Sequence, residues 1–413
     1  MAQTKVAVTG FGLISALGRG EEMNAEALRE GRSGLIARPE WEAEKLRSRV
    51  SGNVDIEPLR EQFDRKQSRF LCDPALLAAL AMQDAIEHAG LDKEAVTNLQ
   101  TGLVMGTGGA SVPDAIALAD RMRARGGSKV GAYFVPRIMG SAVTANLGNM
   151  FQIQGHSYSM TSACATSAHT IMHGLDLIRS GRQDRVFAGG AEDINVFCVA
   201  SFDGMNALSI AYNEEPERAS RPLDCGRDGF VYSGGAAVLV LEKLELAQSR
   251  GARIWAVLEG AGASCDGEDM VVPNRTGGEA AMRLSLEDAG ISPEQIQYIN
   301  LHGTSTPVGD IIEVQAIRNV FGAANLPPFS STKSMTGHGL GAAGAQEAIF
   351  CILMMQDGFL APNINLDDPE PLVDDLPVVR EPQAAEVGWA LSNSFGFGGT
   401  NCSLVFAHPH ESL

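Results

Sequence analysis

Residues 229–242 read GFVYSGGAAVLVLE and residues 394–407 read SFGFGGTNCSLVFA. Each is an aromatic, glycine-rich turn running into an apolar stretch that reads as a strand. The pair aligns on Gly234–Gly235 and Gly398–Gly399. The segment VAVTGFGLIS (6–15) is matched more loosely by WAVLEGAGAS (255–264). Two landmarks repeated in the same order are the signature of an internal duplication. We therefore expect one α/β unit present twice, as residues 1–253 and 254–413.

The rest of the pattern agrees with an α/β protein. KVAVTG (5–10), TGLVMG (101–106), RVFAGG (185–190), AAVLVLE (236–242), IQYINLHG (296–303) and CSLVFA (402–407) read as strands. Helical patterns fit 72–90, 164–179, 276–290, 309–320 and 341–356. Strands interleaved with helices imply parallel or mixed sheets. The helix after Cys164 opens with Ala165, Thr166, Ser167 and Ala168, and GLGAAGA (339–345) is similarly small. Such stretches suit two helices packed closely in a buried layer, although each glycine costs about 1 kcal/mol of helix propensity.

Composition narrows the function classes. The 413-residue chain is 45% apolar with a net charge of −18, which argues against nucleic acid as a partner. Seven cysteines (72, 164, 198, 225, 265, 351 and 402) are scattered without a C-x-x-C pair, which speaks against a disulfide framework or zinc site and for a reducing compartment. The start MAQTKVAVTGFGLISALG lacks signal-peptide features, and AIFCILMM (348–355) falls short of the roughly 18 apolar residues of a membrane span. A cytoplasmic, metal-free protein is expected. GFGLIS (10–15) ends in Ser15 where a dinucleotide fingerprint needs glycine, and GTGGAS (106–111) lacks a P-loop lysine. Two basic clusters interrupt the acidic background: Arg65, Lys66 and Arg69, then Arg121, Arg123, Arg125 and Lys129. They read either as solvated faces or as docking patches for an acidic partner.

Chemistry concentrates in three small-residue turns. In TSACATSAHT (161–170), Cys164 lies where the strand-like HSYSMT meets a helix, so the helix's positive end should favour the thiolate. A buried, inert cysteine is the ordinary alternative. His302 ends a strand in NLHGTSTPVGD (300–310), where α/β active sites cluster. His338 lies in STKSMTGHGLGAAGA (331–345), five residues after Lys333. His88, His169, His173, His408 and His410 read as structural or solvated. One thiol with two imidazoles exceeds what a cysteine peptidase needs. It suits two charge events, a thioester oxyanion and then an enolate, each stabilised by neutral N–H donors.

SACATSAH, LHGTSTPVGD, STKSMTGH and NSFGFGGTN, in this order and joined by RPLDCGRDGFV (221–231), resemble the β-ketoacyl-[acyl-carrier-protein] synthases over essentially the whole chain. AGGAEDINVFCVASFDGMNALS (188–209) and the VGD after HGTSTP look more like the type I branch than type II. The resemblance implies a thiolase-like five-layer α/β/α/β/α fold, a homodimer, no bound cofactor, and substrates carried on the phosphopantetheine of acyl carrier protein. It puts the nucleophile on Cys164, the histidines on His302 and His338, and the lysine on Lys333 paired with Glu313. The oxyanion hole falls on the backbone N–H groups of Cys164 and Phe397. Phe395 is implied as a gate, Thr304 and Thr306 as contacts of the pantetheine arm, and Phe202 and Cys198 as acyl-pocket residues. The docking reading of Arg65, Lys66 and Arg69, and more loosely of Arg123, Arg125 and Lys129, gains weight. Ala110 and Cys198 are positions that could tune chain length. Cys402 reads as a strand residue although thiolases carry a second cysteine nearby. Type II and polyketide synthases, a thiolase and a non-catalytic chain-length-factor-like subunit are the alternatives.

Overall fold

The computed structural model describes residues 3–109, 111–322 and 324–412. Ten strands build its main sheet: β1 (Val6–Ser15), β2 (Thr101–Gly106), β3 (Ser157–Ser159), β4 (Arg185–Glu192), β5 (Gly235–Lys243), β6 (Ala256–Cys265), β7 (Tyr298–Asn300), β8 (Phe329–Ser330), β9 (Trp389–Gly396) and β10 (Thr400–Ala407). Their spatial order is β8-β7-β9-β10-β6-β1-β5-β4-β2-β3, with a two-residue strand, Gly18–Arg19, added beside β1. From the centre outward the order is β1-β5-β4-β2-β3 one way and β6-β10-β9-β7-β8 the other. Each arm has two antiparallel pairings followed by two parallel ones. The repeated segments 229–242 and 394–407 thus end in β5 and β10, which hold equivalent places. The arms join where Val6 and Val8 pair antiparallel with Leu258 and Ala256.

Seven helices frame the layers and the site: α1 (Asp73–His88), α2 (Val112–Arg125), α3 (Thr166–Arg179), α4 (Val196–Gly204), α5 (Arg275–Ala289), α6 (Gly309–Phe321) and α7 (Ala343–Asp357). α1 covers β1, β5 and β4 on one outside, while α5, backed by α6, covers β6 and β10 on the other. α3 and α7 lie between, touching each other and strands of both arms. This is the five-layer α/β/α/β/α order expected of a thiolase-like chain.

The small residues explain the close layering. A Cβ on Gly344 would come within 2.8 Å of the Ala168 nitrogen, and the Ala345 N–H donates to Ser167 Oγ at 2.9 Å. α7 is buried on every side from Ala343 to Met355, as an apolar core helix must be. The glycines of GFGLIS have the same role: a Cβ on Gly12 would sit 1.8 Å from the Ala81 carbonyl of α1. Its counterpart Gly262 has the Ala281 carbonyl of α5 at 2.3 Å. Among the described residues no helix is long and apolar enough to cross a membrane.

Candidate active site

Cys164 sits in a 3-10 turn, Ala163–Ala165, that feeds α3. Ala163 takes φ 50°, a left-handed conformation that a side chain resists at a cost of about 1–3 kcal/mol. Hydroxyls hold the turn in place. The Ser162 N–H donates to Thr166 Oγ1 (2.8 Å), which donates to the Ala163 carbonyl (2.7 Å), and Thr400 Oγ1 donates to the Ser162 carbonyl (3.0 Å). Gly396 closes in from β9, where a Cβ would lie 2.8 Å from that same carbonyl. The Phe397 N–H is thereby aimed at the Cys164 sulfur. One expectation is corrected here. Burial pushes the thiol up to about 11, and the downward pull of Lys333 and the Phe397 N–H does not offset it. The resting group is therefore a thiol, because loss of water outweighs the helix end.

His302 leaves the end of β7 with its backbone clamped. Glu313 on α6 accepts from the His302 N–H through Oε1 and from the Gly303 N–H through Oε2, both at 2.8 Å, and Asn393 Nδ2 donates to Oε1 at 3.1 Å. His338 is zipped to the β5 approach: its N–H donates to the Val231 carbonyl (2.8 Å) and its carbonyl accepts from Ser233 (3.0 Å). The two rings stand 5.2 Å apart at 87°. Burial and the Lys333 charge hold both imidazoles well below the usual histidine range, so both are neutral at neutral pH. His302 Nδ1 and both ring nitrogens of His338 have no hydrogen-bond partner among the described residues.

Lys333 is 1% exposed and forms its ion pair with Glu347 of α7. The expected Lys333–Glu313 pair is thus corrected: Glu313 spends its carboxylate on two consecutive backbone N–H groups, and the central helix supplies the counter-charge. Burial pushes both carboxyls up, each to about 7. Glu347 was missed in the sequence. The available signal was an acid in AGAQEAIFCILMM, where every other side chain is apolar, small or amide.

Cys164, His302, His338, Phe202, Phe395 and Phe397 all line one cavity of about 350 Å³. The Phe395 ring is 5.8 Å from His302, and Phe202 is 6.2 Å from Phe397. Thr304 and Thr306 line the same cavity, their hydroxyls 3.2 Å apart. Their loop bends at Ser305 (φ 69°) and is held by two buried groups that sequence reasoning did not single out. Asp310 accepts from the Ser305 N–H at 3.1 Å, and Arg227 donates to the carbonyls of Thr306 (3.0 Å) and Pro307 (2.7 Å). Cys198 is half-buried and packs against the apolar cluster around Cys164 without reaching the cavity wall. Cys402 is a buried residue of β10, and Ala110 lies outside the described residues. Among the described residues no group of three or more His, Cys, Asp or Glu side chains is placed to hold a metal ion.

The basic clusters meet on one face. Arg65, Lys66 and Arg69 are exposed on and beside a one-turn helix, and Arg123, Arg125 and Lys129 are exposed on α2 and the turn after it. The Arg69 guanidinium lies 5.1 Å from the Tyr133 ring and that of Arg121 lies 5.1 Å from Phe134. Both clusters therefore flank the same short segment.

The comparisons agree with this geometry. The profile for the beta-ketoacyl synthase N-terminal domain matches residues 3–247, and that for the C-terminal domain matches residues 255–367. The chain is 47% identical to 3-oxoacyl-[acyl-carrier-protein] synthase 1 of Haemophilus influenzae, over 97% of this chain and 98% of that protein. Identity to 3-oxoacyl-[acyl-carrier-protein] synthase 2 of Vibrio harveyi is 38%, over 98% and 99%. A crystal structure of a beta-ketoacyl synthase from Burkholderia phymatum superposes with a TM-score of 0.91 at 34% identity, covering 98% of this chain and 99% of that one. A thiol under a backbone N–H, two unpartnered neutral imidazoles and these matches across both halves have one reading: the chain belongs to the β-ketoacyl synthase family.

Proposed function

We propose that this protein is an elongating 3-oxoacyl-[acyl-carrier-protein] synthase of type I in bacterial-type fatty acid synthesis. It is an acyltransferase that joins malonyl carrier protein to an acyl chain held on Cys164. The observation that carries the reading is the cavity in which the Cys164 thiol faces two neutral imidazoles with free ring nitrogens. The higher identity to a type I than to a type II relative supports the subtype.

The first step moves an acyl group from the phosphopantetheine thiol of acyl carrier protein to Cys164. The thiol starts protonated, and a neutral imidazole of the same cavity can take its proton as the sulfur attacks. The N–H groups of Cys164 and Phe397 hold the oxyanion, and the carrier's thiolate leaves. Malonyl carrier protein then binds with Thr304 and Thr306 along its pantetheine arm. The C–C bond to its carboxylate breaks, carbon dioxide departs, and the electron pair becomes an enolate. Imidazole N–H donors of His302 and His338 stabilise that charge. The carbanion attacks the Cys164 thioester, the new C–C bond forms, and the cysteine leaves as thiolate to regain its proton. Burial, helped by the Lys333 charge, holds both rings neutral, hence able to donate without carrying a charge. Phe395, which lines the cavity beside His302, is the gate over the sulfur.

In this reading the half formed by residues 1–253 supplies the nucleophile and the half formed by 254–413 supplies the histidines. The basic face around Tyr133 receives the acidic carrier protein. A second copy completes a homodimer. Free cysteines suit the cytoplasm. The test is to supply acyl carrier protein bearing a medium-length chain, then malonyl carrier protein. A β-ketoacyl product two carbons longer, released with carbon dioxide, is expected. An acylated enzyme that yields no such product would overturn the proposal.

A further inference from the structure

Beside the Cys164 turn, but outside the lining of the cavity, stands a histidine that the mechanism leaves unused. His169 lies in the first turn of α3 and is half-buried. Its Nδ1 is 2.8 Å from the hydroxyl of Ser162, which stands two residues before the nucleophile. Burial holds the imidazole below the usual histidine range, although the carbonyls of Ala165 and Asn401 pull the other way. The ring is therefore neutral at neutral pH, with one nitrogen able to accept and the other to donate. Ser162 is where the two arms touch at the site. Its carbonyl accepts from Thr400 Oγ1 at 3.0 Å, and a Cβ on Gly396 would lie 2.8 Å from the same oxygen. Asn401, the residue after Thr400, presents its carbonyl to His169. The imidazole thus spans the seam between the nucleophile turn of one arm and the 396–400 loop of the other.

The geometry points to His169 as a positioning residue for the oxyanion hole, acting through Ser162. This rests on the proposed loading of Cys164. The two N–H donors of that hole belong to different segments, Cys164 to the 3-10 turn and Phe397 to the loop after β9. Their spacing is set where those segments meet, which is at Ser162. Between Ser162 and Cys164 stands Ala163 with φ 50°. A conformation of that kind persists only where its surroundings over-determine it. Thr166 and Thr400 fix the backbone of Ser162, and His169 fixes its side chain. Without the imidazole, the strain at Ala163 relaxes by turning the Ser162–Ala163 peptide. The Cys164 N–H then moves relative to the Phe397 N–H. A misplacement of about 1 Å can cost on the order of a hundredfold in rate.

The experiment compares two reactions of Cys164 in the full-length protein, each followed against time by peptide mapping. Acyl transfer from acyl carrier protein bearing a medium-length chain passes through an oxyanion, whereas alkylation by iodoacetamide does not. His169→Ala should slow acyl loading on the order of tenfold to a hundredfold while leaving alkylation near the wild-type rate. His169→Asn, whose amide reaches the Nδ1 position, should restore most of the loading. His169→Gln, whose amide reaches the Nε2 position instead, should not. Ser162→Ala should slow loading as His169→Ala does, with no further loss in the double variant. It carries the test if His169→Ala does not fold. Equal slowing of loading and alkylation, or losses that add in the double variant, overturns the inference while sparing the proposed function. Rescue by His169→Gln and not by His169→Asn also overturns it. No loading of the wild-type protein at any chain length would overturn both.

Discussion

The central helices α3 and α7 occupy equivalent places in the two arms, and they begin alike. Each follows a 3-10 turn, Ala163–Ala165 or Leu340–Ala342. Each turn opens on a non-glycine residue with positive φ, 50° at Ala163 and 45° at Leu340. The next residue is Cys164 in one turn and Gly341 in the other. Each turn then faces the end of the other arm's third strand. Cys164 meets Gly396–Phe397 after β9, while Gly341 meets Glu192 at the end of β4. At the second end Glu192 Oε2 accepts from the Gly341 N–H at 3.0 Å and the Gly108 N–H at 2.6 Å. At the Cys164 end the Phe397 N–H is aimed at the sulfur instead. At the Glu192 end a carboxyl group of the chain itself fills the backbone donors. At the Cys164 end, in the proposed reaction, the backbone donors are left to a substrate oxygen. Side chains at two or three positions decide which copy of a duplicated frame is an active site.

The largest effect should come from the end that carries the thiol. Cys164→Ala is expected to lower condensation on the order of 10⁴-fold or more, measured by product release. Next, Lys333→Ala leaves Glu347 buried without a partner and should cost about 3–5 kcal/mol in denaturant unfolding. Because Lys333 also draws the Cys164 thiol downward, the same variant should be alkylated more slowly at a given pH. His338→Ala should cost roughly 10²–10³-fold in condensation, the scale of a lost oxyanion donor, with acyl loading of Cys164 less affected.

The smallest effect should come from the filled end. Burial raises the Glu192 carboxyl from an ordinary 4.5 to about 8. Between those values the folded protein keeps a proton that the unfolded chain has lost, so stability falls as pH rises through that window. Glu192→Gln should flatten the melting temperature between about pH 5 and pH 8, the range of that linkage. It should also shift alkylation of Cys164 to lower pH, because the Glu192 charge raises the thiol. A melting curve against pH as steep as the wild type's would show that Glu192 does not behave as a buried proton store.

The duplication was legible because glycine-rich turns and β-branched runs are local patterns, and the repeated segments fall on β5 and β10 and on β1 and β6. The thiol and both histidines were legible for a related reason, since each needs a tight small-residue turn that leaves its own mark in the sequence. What escaped depends on contacts between distant segments. Glu313 and Glu347 are both helix acids, and only the packing of α6 against β7 and of α7 against Lys333 tells them apart. The thiol's charge state escaped for the same reason: the helix end is visible in sequence, while enclosure by Phe397 from the other arm is not. Glu192 gave no signal at all, because its two donors lie in turns on different arms.

The most direct test of the central claim is intact-mass and peptide mapping after mixing the protein with acyl carrier protein that bears a medium-length chain. The account predicts one acyl group per chain, located on Cys164 and absent from Cys164→Ser, with all six other cysteines unmodified. An acyl group that persists in Cys164→Ser, or that maps to another cysteine, would contradict it.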